Sequence, residues 1–127
     1  MAATPQATHR KDPTGVAGAS ERITAEVTSW PGVEAGTGSR GEWGFTLGRR
    51  AIGHLHGDRV FHAGFPKDVW QELFDAGRIG YHPVFPNRPG FAARAIDTDA
   101  DVDDVIAMLR LNYERMAGRH GLPGAAN

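Results

Sequence analysis

Trp43, Phe45 and Leu47 alternate with smaller or polar residues, the period-two pattern of a strand that buries one face. Gly36, Gly38 and Gly41 break the chain before this strand, and Gly48-Arg49-Arg50 makes a tight turn after it. Ile52, His54 and His56 then fall two apart, so a regular strand puts all three on one face. Gly57-Asp58 signals a hairpin, and Arg59-Val60-Phe61-His62 forms the returning strand. Val33 to Phe65 therefore reads as an antiparallel meander of three strands.

Elsewhere the apolar period is helical. Ile23, Val27 and Trp30 are spaced four and three apart behind Ser20, a residue able to cap a short helix that Pro31-Gly32 stops. Pro66 suits the first position of a middle helix, predicted over Pro66 to Ala76 with Val69, Trp70, Leu73 and Phe74 as its apolar stripe. Gly77 follows where a left-handed cap is expected. Short strands are predicted near Arg78 to His82 and Phe91 to Ile96, joined by a Pro-rich stretch too constrained for a central strand. A long C-terminal helix is predicted over Asp99 to Ala117. Thr98 or Asp99 caps it, Asp101, Asp103 and Asp104 complement its dipole, and Val102, Val105, Ile106, Leu109, Tyr113 and Met116 face the core.

These elements make one α+β domain over residues 20–118, an antiparallel sheet of about five strands packed by the two helices. Residues 1–19, rich in Ala, Thr, Gly and Pro, read as a disordered N-terminal arm, and 119–127 as a flexible tail. The 127-residue length fits a single core. The absence of cysteine removes disulfides, thiolate metal sites and a cysteine nucleophile. A net charge of −1 argues against a nucleic-acid or anionic-membrane coat. There is no apolar run of the ~20 residues a membrane helix needs, nor a signal-peptide core, so the expected location is cytoplasmic. Arg40 to Arg94 carries eight basic against five acidic residues, and Ala95 onward three against six. A solvated face explains that asymmetry most simply, although a basic sheet also suits an anionic small molecule.

Chemistry concentrates in the histidines. His54, His56 and His62 share one predicted hairpin, and His82 follows in Tyr81-His82-Pro83. His54 and His56 on one strand face are close enough to share a metal, with Asp58, His62 or His82 as a third ligand and one position left open. Without a metal, the same cluster could move protons or hold an anion beside Arg50, Arg59 or Arg94. A third possibility is binding alone, with Tyr81, Phe85 and Phe91 half exposed around the Pro-rich loop and Trp43, Phe45 and Trp70 in the core. The expected ligand site is thus His54, His56 and His82 with Arg50 or Arg94 and the rings of Tyr81 and Phe85. The only serines, Ser20, Ser29 and Ser39, fall in the arm, a helix end and a Gly-rich turn, which argues against a hydrolase triad. Gly36-Thr37-Gly38 precedes a strand and lacks the GxGxxG phosphate pattern. No nucleic-acid module is recognisable, and the residues name no cofactor.

Trp43-Gly44-Phe45, Ile52-Gly53-His54-Leu55-His56-Gly57-Asp58, His82-Pro83 and Leu111-Asn112-Tyr113-Glu114-Arg115 together resemble the luciferase-domain family, over roughly Ile23 to Arg115. The resemblance implies an α+β domain and transfers no catalytic residue by position. Phe91 stands where such proteins often carry a tryptophan. The order of elements is also similar to that of the double-wing YjbR-like proteins, an analogy of fold alone. Two function classes follow: a small-molecule-binding or accessory domain, and a small oxidative or proton-transfer enzyme.

Overall fold

The computed structural model describes residues 13–122. The order is α1 (Ala19–Val27), β1 (Val33–Thr37), β2 (Trp43–Leu47), β3 (Arg50–His56), β4 (Val60–Gly64), α2 (Lys67–Asp75), β5 (Gly80–Tyr81), β6 (Phe91–Ala95) and α3 (Asp99–His120). All strand pairs are antiparallel, in the order β1-β2-β3-β4-β6-β5. The domain is α+β as expected, with six strands rather than about five. Helices α1 and α3 pack together on the sheet face that carries Phe45, Leu55 and Phe61, all fully buried with Ile23, Val102, Val105, Met108 and Leu109.

α3 runs three residues past the expected Ala117 and starts at a capping box. Thr98 accepts from the Asp101 N–H while the Asp101 carboxylate accepts from the Thr98 N–H. α1 is capped differently from the expectation. Its N-cap is Gly18 at φ 80°, and Ser20 makes no side-chain cap. Instead the Asp58 carboxylate, reaching from the β3–β4 turn, accepts from the backbone N–H groups of Gly18 (3.2 Å) and Ser20 (2.7 Å).

Of the expected N-terminal arm, residues 1–12 lie outside the described residues, as do 123–127 of the expected tail. Thr14 to Ala19 is ordered. The N–H and hydroxyl of Thr14 donate to Asp97, the Gly15 N–H donates to the Ile96 carbonyl, and Ala19 is fully buried. Gly15, at φ 80°, passes so close to Arg59 that a Cβ would come within 2.9 Å of its side chain.

The decisive departure from the expected strand pattern is a bulge. Phe45 pairs with Gly53 but Thr46 pairs with Ala51, leaving Ile52 as an extra residue in β3. A one-residue insertion reverses every later side chain, so Ile52 is buried in the core while His54 turns to the opposite face. Two features secure the bulge. A Cβ on Gly53 would come within 2.7 Å of the Phe61 ring and 2.8 Å of Leu109, so only glycine fits. Buried Asn112 donates from one Nδ2 to the carbonyls of Ile52 (3.1 Å) and Gly64 (2.9 Å), satisfying both acceptors.

Candidate functional site

Past the bulge, the register aligns one row of residues across the whole sheet: Gly36, Gly44, His54, His62, Ala93 and Gly80. Directly paired residues point to one face, and this face is opposite the core. His54 and His62 are thus neighbours because β3 and β4 pair there, not because of their separation in sequence. His56 lies one pleat along β3. The loop after β5 folds back and brings His82 over His62, with ring centroids 4.0 Å apart. The rings of His56 and His54 lie 4.7 and 5.3 Å from His62.

His62 is the unusual member. It is 7% exposed, and neither ring nitrogen has a hydrogen-bond partner. A buried polar atom without a partner costs roughly 1–3 kcal/mol, so this arrangement needs a reason. Burial, and then the neighbouring imidazoles of His82, His56 and His54, lower its pKa to about 3. Burial also lowers His54 and His82, with His56 contributing to both. These three rings are neutral at pH 7, with lone pairs free of protons.

One nitrogen each from His54, His62 and His82 falls within 4.8 Å of the others. A tetrahedral ion with bonds of about 2.0–2.1 Å needs these atoms roughly 3.4 Å apart, a closure small enough for side-chain rotation. His56, expected as a ligand beside His54, is exposed and outside this trio. The trio floors a cleft of about 560 Å³ walled by Pro83, Val84 and Phe85. Phe85 stacks on Phe91 at 4.4 Å, and the Arg88 guanidinium covers both rings.

The structure separates the other expected participants from the cleft. Arg94 pairs with Phe61 and so faces the helices, where it binds Asp101, Asp104 and the Arg78 carbonyl. Arg50, at the far end of β3, lines a different cleft with His120 and Leu122. Asp58 is occupied as the α1 cap. Arg59 donates to the Pro13 carbonyl. Tyr81 packs on Trp70 and Phe74, away from the histidines. Arg40 lines the cleft, as does Glu42. Both belong to a glycine-rich turn that carried no chemical pattern of its own.

Compared with protein families, residues 49–112 match the Luciferase domain, half of the chain. The chain belongs to the Luciferase domain family. The matched span of this luciferase-domain protein contains all four clustered histidines and ends on Asn112, the residue that holds the bulge. Arg40, Glu42 and the glycines of β1 and β2 precede it. No curated protein and no solved structure matches the chain. Among the described residues, no helix is long and apolar enough to cross a membrane.

Proposed function

We propose that this luciferase-domain protein is a cytoplasmic small-molecule-binding domain built on a transition-metal centre, with His54, His62 and His82 as ligands and the apolar cleft receiving the small molecule. His62 carries the reading: an inaccessible imidazole with no partner on either nitrogen is stabilised by an ion that accepts its lone pair. Neutral imidazoles suit zinc, copper, nickel or iron(II), and three protein nitrogens leave a coordination position open to the cleft.

The test is thermal unfolding of the full chain with zinc, nickel or copper. A ligand at ~100 times its dissociation constant adds about 2.7 kcal/mol to a protein that binds it only when folded. The wild type and His56→Ala are expected to shift upward, and His54→Ala and His82→Ala are not. No shift with any of the three ions, or one that survives the loss of both His54 and His82, overturns the reading.

A second reading, a metal-free proton-transfer catalyst, is favoured by one contact. His82 Nδ1 accepts from the Val84 N–H at 3.1 Å, which leaves the ring proton on Nε2. Coordination through Nε2 moves that proton to Nδ1 and breaks the bond. Nitrogen NMR of the His82 ring, with and without metal, therefore separates the two readings.

A further inference from the structure

The turn before β2 gives its two charges different work. The Glu42 carboxylate folds back over Gly38, where a Cβ would come within 2.1 Å of Oε2, and Oε1 accepts from the Arg40 N–H at 3.0 Å. Gly38 leaves room for that carboxylate, and Glu42 is engaged by the turn. The Arg40 guanidinium makes no ion pair and no hydrogen bond among the described residues. It lines the histidine cleft and is the only arginine or lysine that does. After burial and the His56 ring, the charge of Arg40 also contributes to the lowered pKa of His54 and of His82. Pro83, Val84, Phe85 and Phe91 give the same cleft an apolar wall, and Val84 is left 61% exposed. His62, buried with both ring nitrogens unpartnered, lines this cleft too and points to an occupant there independently of Arg40.

We propose that the small molecule of the histidine cleft is an organic monocarboxylate with an apolar tail or ring, one carboxylate oxygen on the open metal position and the other on the Arg40 guanidinium. This rests on the metal reading for the first oxygen, whereas the contact with Arg40 stands without it. A divalent ion and Arg40 outweigh the single carboxylate of Glu42, so the loaded cleft is net positive and favours an anion. An uncharged ligand would leave the guanidinium unmatched, while a carboxylate fits its planar fork of donors. A phosphate group brings a further oxygen and more charge, and the cleft holds no second arginine or lysine to meet them. The hydrocarbon then covers Val84 and Phe85, removing from water apolar surface that the wall exposes.

The experiment is calorimetry on the zinc-loaded full chain with hexanoate, acetate, hexanamide and hexyl phosphate. Hexanoate is expected to bind the wild type at least tenfold more tightly than hexanamide, which keeps the tail and loses the charge. It is expected to exceed acetate, which keeps the charge and loses the tail, by the same factor. Hexyl phosphate is expected to bind no more tightly than hexanoate. Arg40→Gln keeps the backbone N–H that Glu42 uses, and should cut the preference over hexanamide at least threefold while zinc binding and the preference over acetate are retained. Phe85→Ala should cut the preference over acetate at least threefold. Hexanoate that does not bind, or binds no better than hexanamide or acetate, overturns the proposal. So does a preference for hexyl phosphate, or a carboxylate preference undiminished in Arg40→Gln. If zinc does not bind, the metal reading falls by itself. The metal-free chain then decides the ligand class: an Arg40-dependent preference for hexanoate over hexanamide upholds the carboxylate site, and its absence rejects it.

Discussion

Replacing His62 by leucine should make the metal-free protein more stable, not less. The wild-type ring leaves two inaccessible nitrogens without partners, at roughly 1–3 kcal/mol each, and an apolar side chain of similar volume removes both penalties. The substitution gives up aromatic contact, of which the nearest is His82 at 4.0 Å, worth roughly 0.5–1.5 kcal/mol. With the two penalties near the low end of that range, about 2–3 kcal/mol together, the net gain is about 1–2 kcal/mol, or at least about 4 °C in Tm for a domain of this size. With zinc at ~100 times the wild-type dissociation constant, the wild type gains about 2.7 kcal/mol and the variant nothing. The order of stability therefore inverts when metal is added, and two calorimetric scans of each protein read it. If the metal-free variant is less stable than the wild type, the His62 nitrogens contribute to the fold. If the zinc shift persists in His62→Leu, His62 is not a ligand. Either result refutes the reasoning.

The same burial predicts acid sensitivity in the metal-free protein. With the folded pKa of His62 at about 3 and an unfolded value near 6.5, stability is full above pH 6.5 and falls below it, by about 2 kcal/mol at pH 5. His54 and His82 act in the same direction. Urea unfolding at pH 7.5 and pH 5 checks this, and a loss undiminished in His62→Leu contradicts it. Asn112→Ala orphans the carbonyls of Ile52 and Gly64 and should cost about 2–4 kcal/mol. Because the bulge aims His54, it should also weaken zinc about tenfold; unaltered zinc affinity would show that Asn112 does not position the site. Arg94→Met takes one of two arginines from Asp104, which keeps Arg78, and leaves Asp101 with its backbone N–H donors but no arginine. The expected loss is about 1–3 kcal/mol, below the 3–5 of a fully buried pair because these carboxylates retain some exposure. Zinc affinity should be unchanged, and a change would put Arg94 back in the site.

Most elements were legible because each is encoded locally. The capping box at Thr98, the stripe from Val102 to Tyr113 and the turn glycines Gly48 and Gly57 act within one or two helical turns or one hairpin. The site was legible only in its ingredients. Period-two reasoning put Ile52 with His54 and His56, which holds for a regular strand, but the bulge depends on Gly53 meeting Phe61 and Leu109 and on Asn112 sixty residues away. Arg94 carries no local sign of its face; that follows from pairing with Phe61, a tertiary fact. Asp58 looked like a ligand because of its neighbours in sequence, whereas its partners are the N–H groups of Gly18 and Ser20.

The bulge also explains how one sheet serves both core and site. Were β3 regular, with Ile52 on the core face, His54 and His56 would follow it inward against α3, and the cluster would need to be accommodated within the hydrophobic core. One inserted residue lets Ile52 and Gly53 complete the core while the next position faces outward opposite His62. The helix layer supplies the clamp through Asn112, so the packing that stabilises the domain also orients its histidines. This coupling separates two kinds of substitution. Changes in the clamp, such as Asn112→Ala, should lower stability and zinc affinity together. His62→Leu acts beyond the clamp, and there the two should move in opposite directions.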